Sequence, residues 1–155
     1  MGDTLTAGKI SRLILFMVLA VSVSVESSAA GKPPPPPAGA KCPVCGMFVA
    51  RYPDWSCSAR LKDGAVYWFD GPKDMFAWLK GRYPAAVTVR DYYSLKAVDG
   101  STAYYVEGSD VLGPMGNELV PFRKESDARG FMSDHKGRAL LRFNEITPAV
   151  LKRLE

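Results

Sequence analysis

The chain has 155 residues, of which 47% are hydrophobic and 23% are charged, and its formal net charge at pH 7 is +4. This length fits one ordinary domain or two very small ones, and this composition is normal for a globular protein with a buried core. The positive charge is modest and scattered along the chain. It therefore does not predict a nucleic-acid partner, although an acidic protein partner would fit.

Residues 1–30 have the three regions of a secretory signal peptide. Two basic residues precede an apolar run over 13–25, and 28–30 (SAA) offers small residues at both positions that signal peptidase recognises. The alternative is a retained membrane anchor, but the apolar run is shorter than the roughly 20 residues that a membrane span needs. Because the nearest following cysteine is Cys42, we expect no lipid attachment and a soluble exported protein, periplasmic in a bacterium.

Residues 31–40 form a proline-rich linker. They include five consecutive prolines, Pro33–Pro37, and such a run holds the extended polyproline II conformation and acts as a semi-rigid spacer. The folded domain is therefore predicted to span residues 41–155.

The segment 42–47, CPVCGM, places two thiols and one thioether within six positions. Thiolate and thioether sulfurs are the soft ligands that select Cu(I) over harder ions. A C-x-x-C pair alone also suits a redox centre or half of a zinc site, but neither of those needs a thioether. The segment favours soft-metal chemistry and leaves open whether Met47 is a ligand or a core residue. The total of three cysteines is low for a small exported domain stabilised by disulfides.

A weak internal duplication follows this segment. At a constant offset of 53 residues, three pairs match: Phe69 with Phe122, Asp74 with Asp127, and Trp78 with Phe131. In the first copy, the pattern predicts a hairpin ending with 66–69, a helix from Pro72 to Gly81, and a strand over 86–90.

The second copy repeats this order. Its hairpin arms are predicted at 104–106 and 119–122, its helix from a cap at Ser126 to about Ser133, and its last strand at 139–143. The fold class is therefore α+β, with two tandem homologous strand–strand–helix–strand (ββαβ) units over about 41–95 and 100–147. Each unit is expected to form a small antiparallel or mixed sheet packed on one helix.

The loop between the arms of the second hairpin is 113–116, GPMG. Glycines on both sides of this short segment make Met115 a poor core residue. They do expose its sulfur and allow another backbone to approach closely.

Four segments, in this order and spacing, resemble the nitrous-oxide reductase accessory protein (NosL) family. They are 42–47 (CPVCGM), 105–109 (YVEGS), 115–122 (MGNELVPF) and the pattern from Ala128 to Phe143. The resemblance covers essentially all of 41–147. It implies a small exported Cu(I)-binding protein, typically a lipoprotein, that delivers copper for the copper–sulfur centre of nitrous-oxide reductase, and a fold of two homologous strand–strand–helix–strand units.

The resemblance also implies the metal ligands. The C-x-M core of the family falls on Cys45 and Met47, and its M-G segment falls on Met115. Cys42 is a further, optional ligand or a disulfide partner of Cys45, because some relatives keep C-x-M without the first cysteine. The lipidation cysteine of the family is missing here, and Cys57 has no family role that we can assign.

For the remaining sulfur and imidazole side chains, the first interpretation is an ordinary structural role. Met75 and Met132 lie on apolar helix faces, and Cys57 lies in a strand-like stretch, so all three are expected in the core. His135, the only histidine, follows the second helix, where a basic side chain suits the helix C-terminus. Neutral imidazole also binds copper, so His135 is a secondary candidate ligand.

A Cu(I) metallochaperone with a copper-receiving client protein is the leading hypothesis, and two alternatives remain. One is an exported thiol–disulfide oxidoreductase that uses Cys42 and Cys45. The other is a structural zinc site made by Cys42, Cys45, Cys57 and His135, in which only the first pair has zinc-site spacing. The sequence contains no glycine-rich phosphate loop, zinc-protease helix motif or nucleophile elbow. Because no catalytic constellation is found, we predict that the protein is not an enzyme.

Overall fold

The structure is a computed structural model that describes residue 2 and residues 35–155. The predicted signal peptide, apart from residue 2, and the first part of the proline-rich linker lie outside the described residues. Among the helices of the described part, none has the length and apolar character needed to cross a membrane.

The described residues alternate short strands with short helices. In chain order they form a 3-10 turn at Val49–Arg51, β1 (Cys57–Arg60), β2 (Val66–Phe69), α1 (Pro72–Leu79), β3 (Ala86–Arg90), β4 (Ala97–Asp99), β5 (Tyr104–Gly113), β6 (Gly116–Phe122), α2 (Glu125–Asp134), β7 (Ala139–Arg142), a 3-10 turn at Phe143–Glu145, and α3 (Pro148–Lys152).

The strands form two antiparallel sheets. The strand order is β2-β1-β3-β4 in the first sheet and β6-β5-β7 in the second, and every neighbouring pair is antiparallel. In each sheet the first strand of the hairpin lies between the second strand and the strand after the helix, and β4 is an addition at one edge. The predicted α+β class with small antiparallel sheets is confirmed. The origin of the two units by duplication, and their boundaries at about 41–95 and 100–147, stay predictions.

Helix α1 joins the two sheets. It begins with Pro72, at a position where the missing N–H of proline costs no helical hydrogen bond. Its buried residues Met75, Phe76 and Leu79 belong to the main core, and the helix contacts β1 and β2 of the first sheet and β6 of the second. The sequence pattern had suggested that each helix packs on the sheet of its own unit, but helix α1 packs on both sheets.

The β5–β6 hairpin is covered on both faces. Since successive strand residues point to opposite faces of a sheet, Tyr105 and Leu119 belong to the main core, whereas Val106 and Val120 belong to a second core under α2. The hairpin thus separates the main core from the second core, and its turn lies at the start of α1.

Two details of the second unit differ from the sequence prediction. Helix α2 begins at Glu125 after Lys124, which makes no side-chain cap. Ser126 was expected to cap this helix, but it lies inside the first turn and its hydroxyl donates to Asp127. The hairpin arms are also longer than predicted, so that only Pro114 and Met115 remain in the turn.

Helix α3 was not predicted. Its residue Val150, together with Leu154 just beyond its end, is buried in the main core, and the helix contacts α1. The last residues of the chain therefore complete the core of the first unit.

A candidate metal site at the start of the first helix

The cysteine segment folds into a closed turn. The Gly46 N–H donates to the Cys42 carbonyl at 2.9 Å, and the Cys42 N–H donates to the Met47 carbonyl at 2.9 Å. Gly46 has a φ of 77°, in the left-handed region that glycine adopts without steric cost. The turn places the thiol sulfurs of Cys42 and Cys45 within 4.8 Å of each other.

Two carboxylates face these thiols from the start of α1. The Cys45 Sγ lies 3.3 and 3.4 Å from the two carboxylate oxygens of Asp70, and the Cys42 Sγ lies 3.2 Å from Asp74 Oδ2. Asp70 is 0% exposed and Asp74 is 7% exposed. One ligand atom from each of the four residues lies within 4.8 Å of the others, so the group is compact enough to hold one metal ion.

Both thiols of the site are poor acids. Burial raises the pKa of Cys42 to about 11, and burial raises the pKa of Cys45 well above its usual range. The neighbouring Asp70 and Asp74 raise both values further, because they accept hydrogen bonds from the protonated thiols. A metal that binds here must therefore displace protons from sulfur.

The methionine turn of the second unit approaches the same end of α1. The Lys73 ammonium, which lies between Asp70 and Asp74 in the sequence, donates to the Met115 carbonyl at 2.9 Å. Met115 is 47% exposed, and Met47 is half-buried directly after the cysteine turn. The predicted sulfur ligands of both units are thus carried on segments that meet the start of α1.

Glu118 connects β6 to the start of α1 through hydrogen bonds. Its Oε1 accepts the Lys73 N–H at 2.6 Å and the Leu119 N–H at 2.9 Å, so a carboxyl group of the second unit caps the first helix of the first unit. Side chains at positions 71 and 113 would collide with it: a Cβ on Gly113 would lie 2.8 Å from the Glu118 Cγ, and a Cβ on Gly71 would overlap its Oε2. Burial raises the pKa of Glu118 to about 8.

Known proteins are similar to this chain in sequence and in fold. The model of the NosL family matches residues 35–151. The chain belongs to the NosL family. The resemblance inferred from the sequence is thereby confirmed.

A curated NosL relative is named for copper. This NosL-family chain is 31% identical over 123 residues to the copper-binding lipoprotein NosL of Stutzerimonas stutzeri, in a match that covers 72% of this chain and 64% of the relative. The chain therefore spans somewhat less than two thirds of the length of that relative.

A solved NosL structure has a similar fold. The crystal structure of the copper chaperone NosL from Shewanella denitrificans matches with a TM-score of 0.66 and 28% identity, over 73% of this chain and 93% of that one. The solution structure of apo-NosL from Achromobacter cycloclastes matches with a TM-score of 0.47 and 24% identity, over 61% and 87% of the two chains.

Two candidates from the sequence lie outside the four-residue group of this NosL-family chain. The His135 Nδ1 lies 3.2 Å from Asp110 Oδ1, and its ring stacks on Phe131 at 4.4 Å. Cys57 is buried, and its nearest hydrogen-bond acceptor is the Phe69 carbonyl. Within the described residues, the metal-holding group contains neither of them, so the ligand role of His135 stays a prediction.

Sequence reasoning missed Asp70 and Asp74. Their spacing across the start of α1, in the segment FDGPKD, is also what an ordinary strand end and helix first turn would show. Asp70 directly follows β2 and Asp74 lies in the first turn of α1, and their contacts with the thiols place these two element ends against the cysteine turn of the NosL-family site.

Proposed function

We propose that this chain is an exported Cu(I) metallochaperone. In this proposal one Cu(I) ion is cargo, held by Cys45, Met47 and Met115, with Cys42 as an optional further ligand. The observation that carries the proposal is that the cysteine turn and the methionine turn both contact residues at the start of α1. Family membership supports copper as the metal, because the relatives are named copper-binding lipoprotein and copper chaperone.

The predicted ligands suit a site that must both hold and release Cu(I). A thiolate supplies a charged soft donor, whereas thioethers add soft coordination that no proton competes for. The Cys45 proton must leave when copper enters, so affinity is expected to rise with pH. The half-exposed Met115 and the half-buried Met47 leave the ion accessible to the ligands of a receiving protein.

The client of this proposal is a cuproenzyme outside the cytoplasm, and the family resemblance favours the copper–sulfur centre of nitrous-oxide reductase. The signal-peptide pattern of residues 1–30 supports export. The net charge of +4 supports an acidic docking surface on the client.

The thiol chemistry of the site disfavours a thiol–disulfide oxidoreductase. A redox-active cysteine needs a lowered thiol pKa, commonly supplied by the N-terminus of a following helix. Here burial raises the pKa of Cys42 and of Cys45. The chain after Met47 continues into a short 3-10 turn at Val49–Arg51, and not into the strand that the sequence suggested or into an α-helix.

A Cu(I) titration tests the proposal. The reduced full chain, kept anaerobic, is titrated against a chromophoric Cu(I) chelator, and we expect one Cu(I) per chain. Cys45→Ala and Met115→Leu should each weaken binding by about tenfold or more, which equals about 1.4 kcal/mol. Met132→Leu is the matched control, because Met132 packs against the second core under α2. Unchanged affinity in both site variants would refute the ligand assignment.

A further inference from the structure

Two buried carboxylates of the site have no cationic partner in the described part of the chain. The hydrogen bonds found for Asp70 and Asp74 come from the thiols of Cys45 and Cys42, and a thiol is a weak donor. The ion pairs of the described residues involve neither carboxylate. Lys73 lies between them in the sequence, but its ammonium donates to the Met115 carbonyl.

Buried carboxylates normally pair with a cation or coordinate a metal. The two acids therefore need a positive charge, and the described part of the chain does not supply one. The Cu(I) site proposed above does not supply it either, because its sulfur ligands leave the hard carboxylate oxygens unused.

We propose that Cys42, Cys45, Asp70 and Asp74 form a second donor set in this pocket, which binds Zn²⁺ in competition with Cu(I). This proposal shares only Cys45 with the three-ligand copper assignment. Two sulfurs and two carboxylate oxygens make the four-coordinate set that suits a borderline ion such as Zn²⁺. Ca²⁺ and Mg²⁺ take oxygen ligands and would leave the thiols unused.

The geometry is close to what tetrahedral zinc requires. Zn–S bonds of about 2.3 Å and Zn–O bonds of about 2.0 Å place neighbouring ligand atoms roughly 3.3 to 3.8 Å apart. The two thiol–carboxylate contacts are already 3.2 and 3.3 Å, and all four ligand atoms lie within 4.8 Å of one another. These contacts are slightly shorter than the roughly 3.5 Å between sulfur and oxygen in tetrahedral zinc, so binding mainly requires the longer separations among the four atoms, at most 4.8 Å, to shorten.

The binding step balances in protons and charge. Each thiol releases its proton to solvent as its Zn–S bond forms, and zinc stays in the +2 state throughout. Four anionic ligands and one Zn²⁺ leave a net charge of −2 on the group. The N-terminus of α1 favours this charge, because Asp70 and Asp74 flank the positive end of the helix dipole.

The two donor sets make the pocket a selector between metals. Thioethers of Met47 and Met115 complete a soft set around Cys45, whereas carboxylates of Asp70 and Asp74 complete a harder one. Because both sets use the Cys45 thiolate, and the group is compact enough for one ion, the two metals compete for it. Zn²⁺ is expected to occupy the pocket until Cu(I) displaces it.

A double dissociation tests this proposal on the reduced, metal-free full chain. Zn²⁺ affinity is measured against a chromophoric zinc chelator, and Cu(I) affinity against a chromophoric Cu(I) chelator. In the Asp70→Asn/Asp74→Asn variant we expect Zn²⁺ affinity to fall by about 100-fold or more, beyond the roughly 10- to 100-fold that loss of an outer-shell partner costs. Cu(I) affinity should be retained or raised, because the two carboxylates hold the thiol protons that Cu(I) displaces. In the Met47→Leu/Met115→Leu variant we expect Cu(I) affinity to fall by about 100-fold or more, with Zn²⁺ affinity changed less than about threefold.

Asp127→Asn is the matched control for the acid variants. Asp127 occupies in the first turn of α2 the position that Asp74 occupies in α1, but no cysteine hydrogen bond reaches it. If Asp74 served only the helix start, the Asp74 and Asp127 substitutions would have similar effects on stability. Neither substitution would then change Zn²⁺ affinity.

Co²⁺ provides a second measurement on the unmodified chain, which avoids any variant that fails to fold. Tetrahedral Co²⁺ bands with thiolate charge-transfer absorption, lost on Zn²⁺ addition, would support the donor set. Octahedral bands without thiolate absorption would refute it, and so would an equal loss of both metals in the acid variant. An acid variant that loses only Zn²⁺, beside a methionine variant with unchanged Cu(I) affinity, would refute the copper ligand assignment and leave the zinc set standing.

Discussion

At the scale of single residues, Glu118 is a carboxyl group held where water cannot solvate its charge. It is 3% exposed, and its partners are the backbone N–H groups of Lys73 and Leu119. Burial outweighs these two hydrogen bonds and raises its pKa from 4.5 to about 8. The folded protein therefore binds a proton at Glu118 over a pH range in which the unfolded chain has lost it.

This difference predicts how stability depends on pH. Between pH 4.5 and about 8 the folded state holds the extra proton, so the free energy of unfolding from this source falls as pH rises and is constant above that range. Glu118→Gln should remove this contribution, because glutamine still accepts hydrogen bonds but does not titrate. Urea denaturation at pH 5, 6.5 and 8 measures it, with the exposed Glu125→Gln as control. An unchanged pH slope in Glu118→Gln would contradict the prediction.

The residues of the site were only partly predictable from the sequence. Cys42, Cys45 and Met47 stand together in the chain, so local spacing was enough to find soft-metal chemistry. Asp70 and Asp74 come near them only in the folded chain, where the end of β2 and the start of α1 lie against the cysteine turn. Local spacing carries no information on such long-range contacts, and carboxylates at a helix start have a common structural explanation.

At the scale of elements, the site depends on the packing of the β5–β6 hairpin against α1. The Glu118 side chain fills the space between Gly71 and Gly113, and neither position has room for a Cβ. Because the turn that carries Met115 directly follows Gly113, any displacement there moves the predicted methionine ligand relative to the cysteine turn.

Gly113→Ala is therefore expected to destabilise the protein by about 1–3 kcal/mol, the usual cost of overpacking, and to weaken Cu(I) binding. Gly130→Ala is the matched control: it lies in α2 with nothing within 4 Å of the added Cβ, and alanine should stabilise the helix by about 0.5–1 kcal/mol. Chemical denaturation and Cu(I) titration measure both effects. Equal stability of the two variants would show that Glu118 has room to move.

The elements themselves followed from the sequence where their periodicity was regular. Helix α1 and strand β3 lie where the pattern predicted them. The second half of β5 was missed because its pairing with β6 shifts between Glu107 and Leu112, and Gly108 takes a φ of 79° within that irregular stretch. Such a bulge breaks the alternation of inward and outward residues on which strand prediction depends.

At the scale of the whole molecule, the main core is built from residues of both predicted ββαβ units. Tyr105 and Leu119 of the second unit, and Val150 and Leu154 near the C-terminus, lie in the same core as Met75 and Phe69 of the first unit. Repetition in the sequence had suggested units that could be described one by one. Each hairpin residue joins one core or the other according to the face of the sheet to which it points. That face depends on the strand register, which the duplication itself does not reveal.

A fragment of residues 35–99 is therefore expected not to fold, although it contains the whole predicted first ββαβ unit. It would lack Tyr105 and Leu119, both 0% exposed in the complete chain, and it would leave an apolar face of its core open to water. Burial of one such large side chain contributes roughly 1.5–3 kcal/mol, and a domain of this size has only about 5–15 kcal/mol of net stability. Amide resonances of the fragment should show little dispersion in an NMR spectrum, whereas residues 35–155 should give a dispersed spectrum. A dispersed spectrum from the fragment would instead establish the first unit as an independent domain, and the copper and zinc ligands of the cysteine turn could then be studied apart from the Met115 turn.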